Sequence, residues 1–185
     1  MSTEQTLFTD SLKNTIDNDW IWLREHNGFW RHSAAGVEIR VEHGVADTVQ
    51  NALLRAAPDR LQGTYAVEVD VFNHALPTQQ YEQAGITWYN DGKPVFKLVK
   101  ELIDGDLYII PGRKPMSTRG VRLRLVVTAD TWEAQYRPDD DSDYQIAETG
   151  PLPAPNNDQV SIQCYNGPKQ GEHWIRFANF TIYRL

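Results

Sequence analysis

Residues 65–73 read Tyr65-Ala66-Val67-Glu68-Val69-Asp70-Val71-Phe72-Asn73, and residues 121–127 read Val121-Arg122-Leu123-Arg124-Leu125-Val126-Val127. Successive side chains of a strand point to opposite faces, so each stretch sorts into an apolar side and a polar side. Tyr65, Val67, Val69 and Val71 oppose Glu68 and Asp70; Val121, Leu123, Leu125 and Val127 oppose Arg122 and Arg124. Opposite charges placed in this way can meet across one sheet while the valines and leucines line a core.

Outward from these two stretches, short alternating or β-branched runs bounded by Gly, Pro, Asn and Asp recur along nearly the whole chain, and helical periodicity is almost absent. Strands are expected at 21–26, 29–32, 36–42, 51–55, 64–73, 83–90, 95–102, 107–110, 120–128, 132–137, 144–148, 160–165 and 174–184. Asn90-Asp91-Gly92 supplies residues that tolerate positive φ, so 83–90 and 95–102 should form a hairpin. Residues 128–131 and 138–142 should turn the chain twice more. Prolines at 151, 153 and 155 cannot donate ladder hydrogen bonds, so 150–157 reads as a loop crossing between sheets. Strand 83–90 could turn either Ala84, Ile86 and Trp88 or Gly85, Thr87 and Tyr89 inward. In the next strand Lys97 and Glu101 should face outward; Lys100 breaks the alternation and suggests a bulge or an edge.

At 185 residues, with 41% hydrophobic and 23% charged side chains, the chain suits one folded domain. Residues 1–18 read as an N-terminal extension, with a short helical turn at 9–18, and 19–185 as a β-sandwich. A net charge of −7 disfavours nucleic acid as a partner. No stretch is long and apolar enough to suggest a membrane span, and Met1–Asp10 lacks the pattern of a signal peptide, so the expected location is cytoplasmic. The lone Cys164 allows no internal disulfide and alternates with Val160 and Ile162, which places it in the core.

Four segments in order carry a resemblance: Trp20-Ile21-Trp22-Leu23-Arg24-Glu25, Pro77-Thr78-Gln79-Gln80-Tyr81-Glu82-Gln83-Ala84-Gly85-Ile86, Phe96-Lys97-Leu98-Val99-Lys100-Glu101 and Arg176-Phe177-Ala178-Asn179-Phe180. Over roughly 19–185 the chain resembles the concanavalin A-like domain of unknown function 1349, the "regulation of enolase protein" family. It is also similar to the C-terminal β-sandwich of family-43 β-xylosidases. The resemblance implies an all-β, concanavalin A-like jelly-roll sandwich of two antiparallel sheets with a curved face, and it brings no catalytic residue with it.

The aromatic and charged residues on strands point to binding more than to catalysis. For each of the six tryptophans the core is the first reading; Trp22 and Trp30 are the two that could instead look outward, with Ile21 and Leu23 filling the interior. An exposed indole offers a flat apolar face to a sugar ring, and Arg24, Glu25, Lys97 and Glu101 would add oriented hydrogen-bonding groups. Their alternative is a set of cross-strand ion pairs. The weak catalytic candidates are Glu68 and Asp70, because glycanases of the concanavalin A-like fold carry acids at alternate strand positions; the run ends without a third acid.

Metal and cofactor signals are poor. His26, His32, His43, His74 and His173 are scattered without ligand spacing. Asp139, Asp140, Asp141 and Asp143 resemble a calcium loop, but Tyr144 and Gly150 stand where an EF-hand needs Gly and Glu, so the run reads first as a charged hairpin tip. No phosphate loop, nucleophile elbow or dinucleotide fingerprint occurs, and no cofactor is expected. Asn179-Phe180-Thr181 matches a glycosylation triplet inside an expected strand, where it reads as chance. The leading expectation is a non-catalytic domain binding carbohydrate or a polyol on a concave sheet face. Two alternatives stand beside it: an intracellular protein-interaction or assembly module, including a homo-oligomer, and a glycoside hydrolase using Glu68 and Asp70.

Overall fold

The computed structural model describes residues 4–138 and 140–185. In chain order the strands among them are β1 (Gln5–Asp10), β2 (Ile21–Leu23), β3 (Trp30–Ser33), β4 (Gly36–Arg40), β5 (Ala52–Ala56), β6 (Tyr65–Asn73), β7 (Gln83–Asn90), β8 (Lys93–Ile103), β9 (Asp106–Ile110), β10 (Lys114–Pro115), β11 (Gly120–Val127), β12 (Thr131–Arg137), β13 (Gln145–Pro151), β14 (Gln159–Tyr165) and β15 (Trp174–Arg184). A single 3₁₀ turn, Arg60–Gln62, interrupts them. No helix among the described residues is long and apolar enough to cross a membrane.

The strands form two antiparallel sheets. The eight-stranded sheet runs β13-β12-β11-β6-β15-β4-β3, with β1 also paired to β15; the seven-stranded sheet runs β10-β9-β8-β7-β14-β5-β2. Across the core β11 faces β8, β6 faces β7 and β4 faces β14, which is a jelly-roll β-sandwich. Val67, Val69, Val71, Leu123, Leu125, Val160, Ile162 and Phe177 lie between the sheets, none more than 1% exposed. Burying an aliphatic or aromatic side chain of this size contributes about 1.5–3 kcal/mol.

The expected hairpins are present. Asp91 and Gly92 take φ values of 50° and 73° between β7 and β8, the pair of positive angles that a tight two-residue turn requires. β11 pairs β12 through the 128–131 turn, and β12 pairs β13. The proline-bearing segment after β13 carries the chain from the eight-stranded sheet to β14 in the other.

Two pairs of stacked rings link the sheets toward their opposite edges. Trp22 of β2 lies against Trp30 of β3 with centroids 4.5 Å apart, and Phe96 of β8 lies against Trp132 of β12 at 4.1 Å. Each pair takes one ring from each sheet. At one pole the buried Arg60 guanidinium binds Asp158 at 2.7 Å and the carbonyls of Thr128, Ala129 and Pro153, which ties three loops together.

Three expectations are corrected. Residues 5–10 are a strand rather than part of an extension with a helical turn: Asp10 accepts from the backbone N–H of Leu12 and Asp17 and from the Trp20 indole, and this bends the chain back on itself. Trp22 packs toward the core and Ile21 is 63% exposed, which sets aside the outward orientation of Trp22 that the expected binding site needs. Lys100 needs no bulge or edge, since it faces inward opposite Ala84 and Ile109 and its ammonium reaches the carbonyls of Thr118 and Arg119 at 2.7 and 2.8 Å.

Burial without a carboxylate partner pushes the Lys100 ammonium from its ordinary 10.5 down to about 7. The unfolded lysine therefore holds its proton up to about 10.5, whereas the folded one releases it above about 7. In that window the unfolded chain binds more protons, so this group makes the fold more stable as pH rises from about 7 to 10.5. Urea melts of a Lys100→Met variant should lose that part of the pH slope and show higher stability at neutral pH.

Candidate functional site

Strand pairing decides which side chains leave the seven-stranded sheet on its outer face. Ala84, Ile86 and Trp88 belong to the core, so Gln83, Thr87 and Tyr89 of β7 point outward. Pairing places Lys97 opposite Thr87 and Glu101 opposite Gln83 on β8, and Ser161 opposite Thr87 and Tyr165 opposite Gln83 on β14. A row of polar groups consequently crosses three neighbouring strands.

The row is internally connected. The Lys97 ammonium donates to Gln83 Oε1 at 2.6 Å and to Glu101 Oε2 at 3.1 Å, and Gln83 Nε2 donates to Glu101 Oε1 at 3.2 Å. The hydroxyls of Tyr89 and Ser161 both donate to Gln163 Oε1, at 3.0 and 2.7 Å. Two buried polar atoms of the row, Thr87 Oγ1 and Gln163 Nε2, have no partner. Leaving such a group unmade costs about 1–3 kcal/mol.

A loop covers part of this face. Val49, 1% exposed, packs on Ala52, Leu54, Tyr89 and Tyr165 in an apolar cluster separate from the main core. Arg24, at φ 52° just after β2, donates from Nε to the Val49 carbonyl at 2.6 Å and holds the loop down. Beside it opens a cavity of about 480 Å³ lined by Ala46, Asp47, Thr87, Val95, Lys97 and Tyr165, with Phe96 and Trp132 also in its wall. Gly150 permits that wall, because a Cβ there would stand 2.5 Å from the Trp132 ring.

Burial, and then the nearby Glu101 carboxylate, push the Tyr165 phenol far above its usual range. Burial likewise raises Tyr89, opposed by the Arg24 charge. Both phenols remain neutral at physiological pH. The Lys97 side chain is 34% exposed and the Glu101 side chain 7%, so the lysine is the member of the pair that solvent reaches.

The structure divides the six expected binding residues. Lys97 and Glu101 lie together on this outer face, and Arg24 braces its loop. Trp22 and Trp30 stack on each other, partly buried against the core, and Glu25 accepts from the Trp30 indole at 3.1 Å. β2 lies four strand spacings from β8, roughly 19 Å at about 4.8 Å per spacing, and Trp22 points to the opposite face. Gln83, Thr87, Tyr89, Gln163 and Tyr165 were missed; the available signal was the alternation of β7, which left Thr87 and Tyr89 as one of two possible faces.

Glu68 and Asp70 occupy the outer face of the other sheet. Arg122 binds Glu68 at 3.0 Å and Asp70 at 2.8 Å, Arg124 binds Glu68 at 3.1 Å, and Asn179 donates to Asp70 at 2.6 Å. These acids are occupied in cross-strand pairs, which does not fit the free nucleophile and proton donor of a glycosidase. Asn179 sits in a bulge of β15 at φ 51°, which directs its amide to Asp70. Of the aspartate run, Asp139 lies outside the described residues and Asp140 is bound by Arg137 at 3.0 Å. Among the described residues no group of three or more acids, histidines or cysteines could hold a metal ion.

No family model matches the chain. No curated protein matches it either. Solved structures do. The GH43 protein BlXynB from Bacillus licheniformis superposes with a TM-score of 0.76 at 16% identity, over 96% of this chain and 39% of that one. The xylan β-1,4-xylosidase from Bacillus halodurans C-125 gives 0.63 at 13% identity, over 92% of this chain and 38% of that one. SCLam, a non-specific endo-β-1,3(4)-glucanase from family GH16, gives 0.65 at 11% identity, over 100% and 92%. The chain thus spans about two fifths of the length of the first two structures. The shared feature is the concanavalin A-like jelly-roll fold.

Because Glu68 bridges two arginines while 4% exposed, a Glu68→Gln variant should unfold at lower urea concentration, with a loss of roughly 1–3 kcal/mol.

Proposed function

We propose that the chain is a non-catalytic member of the concanavalin A-like "regulation of enolase protein" group that binds a neutral carbohydrate on the outer face of its seven-stranded sheet. The observation that carries this reading is the cavity of about 480 Å³ that brings the partly exposed Lys97 side chain beside Val95, Phe96 and Trp132. Small-molecule sites are concave, mostly apolar and contain a few fixed polar groups. Here Val95, Phe96 and Trp132 supply apolar and ring surface, while Lys97 supplies hydrogen bonds.

Charge favours a neutral ligand. The cation Lys97 is already matched by Glu101 at 3.1 Å, and the rim adds the acid Asp47, so an anionic sugar gains no unmatched positive partner there. The Lys97 ammonium has three protons and two acceptors within the protein, which leaves one to meet a sugar hydroxyl. Further support comes from the folds of the GH43 and GH16 structures, whose names describe carbohydrate-active proteins.

Calorimetry with xylo-, gluco- and manno-oligosaccharides tests the reading, and absence of binding to all of them at millimolar ligand overturns it. Thr87→Val should leave the melting temperature unchanged or raise it, because it removes a buried hydroxyl without a partner. Lys97→Gln removes the ammonium that meets the sugar and should weaken binding by about five- to tenfold, and unchanged affinity would remove Lys97 from the site.

A further inference from the structure

We infer that the loop joining β4 to β5 closes one side of the cleft, so that the site takes the end of a saccharide chain rather than its middle. This rests on the carbohydrate reading above and adds the part of the ligand that is recognised.

The outer face of the seven-stranded sheet is wide enough for a groove running across β8, β7, β14 and β5. Only part of it is open. Over β14 and β5 the side chain of Val49 fills the face, in contact with a cluster made of Ala52, Leu54, Tyr89 and Tyr165. Ala46 and Asp47 of the same loop then form a wall of the open part, facing Pro94, Val95 and Pro111. What remains is a cavity of about 480 Å³. That is near the lower end of the usual range for small-molecule sites, about 300–1,000 Å³, and it suits a short saccharide.

The plug is built in rather than lying loosely on the surface. Arg24 Nε donates to the Val49 carbonyl, the buried Asn51 accepts from His26 N–H at 2.6 Å through its side chain, and Asn51 N–H donates to the Arg24 carbonyl at 3.2 Å. The loop and the end of β2 therefore hold each other. A continuous chain crossing the face would have to displace Val49 from its apolar contacts and break the bond from Arg24. A chain end stops at Ala46 and Asp47 and displaces neither. Tyr165, which belongs both to the Val49 cluster and to the cavity lining, marks the boundary between the closed and open parts.

Titration of the intact chain with β-1,4-linked xylo- and gluco-oligosaccharides, from disaccharide to hexasaccharide, tests this directly. The expected result is an affinity that is constant within about twofold from trisaccharide upward, because added units extend into solvent. Affinity that tightens by about threefold or more with each further unit overturns end recognition while leaving carbohydrate binding intact. No binding by any member of either series overturns both readings. In Val49→Gly, and independently in Arg24→Gln, the loop loses its plug or its latch, and the hexasaccharide should bind about tenfold tighter relative to the disaccharide than in the unaltered chain. Folded variants with an unchanged length profile would overturn the role given to the loop.

Discussion

The two-residue period of the strand governs this molecule, because every strand that gives one face to the shared core must dispose of the other. β6 and β11 give Val67, Val69, Leu123 and Leu125 to the interior, which leaves Glu68, Asp70, Arg122 and Arg124 on the outer face. Direct cross-strand register, Arg122 opposite Asp70 and Arg124 opposite Glu68, matches these charges within the sheet. The seven-stranded sheet meets the same requirement differently. Its outer face sets amides, hydroxyls and the Lys97–Glu101 pair among apolar residues, and is covered on one side by an apolar loop and open on the other.

The difference between the two outer faces depends on how the sheets are held. Trp22 with Trp30 and Phe96 with Trp132 join the layers toward either edge, while Arg60 gathers the 128–131 and 151–158 loops at one pole. The second ring pair also serves the cavity, since Phe96 and Trp132 both appear in its wall. Closing the sandwich and shaping the cleft are thus partly the work of the same two side chains. Aromatic pairs of this geometry contribute about 0.5–1.5 kcal/mol beyond the area they bury, so the wall is stiff without a dedicated element behind it.

What could be read in advance follows from contrast between neighbouring residues. β6 and β11 alternate charge with branched aliphatics, and their faces, partners and buried residues are legible. Ile21-Trp22-Leu23 is three apolar residues on an edge strand; alternation has nothing to distinguish, and the stack with Trp30 decided the orientation. β1 was hidden because its residues are exposed or half-buried, and its place depends on the distant β15 rather than on its own pattern. Lys100 defied its charge because a lysine stem can lie in a core if its tip reaches carbonyls at the end of the sandwich. Within the candidate site, Lys97 and Glu101 stood out as charges on one strand face, whereas Gln83, Thr87 and Gln163 share strands with apolar neighbours and became visible only once register placed them side by side.

The Thr87 hydroxyl and the Gln163 amide nitrogen are buried on this face without a hydrogen-bond partner. A sheet selected for stability alone gains by replacing such groups with apolar ones of the same shape, as Val99, Ala52 and Leu54 already fill neighbouring outward positions. Ser161 and Tyr89, by contrast, are satisfied through Gln163, so its carbonyl end is engaged while its amide end is not. One half of the polar row is therefore closed on itself, and in the other the Lys97 ammonium, with three protons and two acceptors, keeps hydrogen-bonding capacity. That capacity lies beside the cavity rather than under the Val49 plug, since Lys97 lines the opening and is the more exposed member of its pair with Glu101.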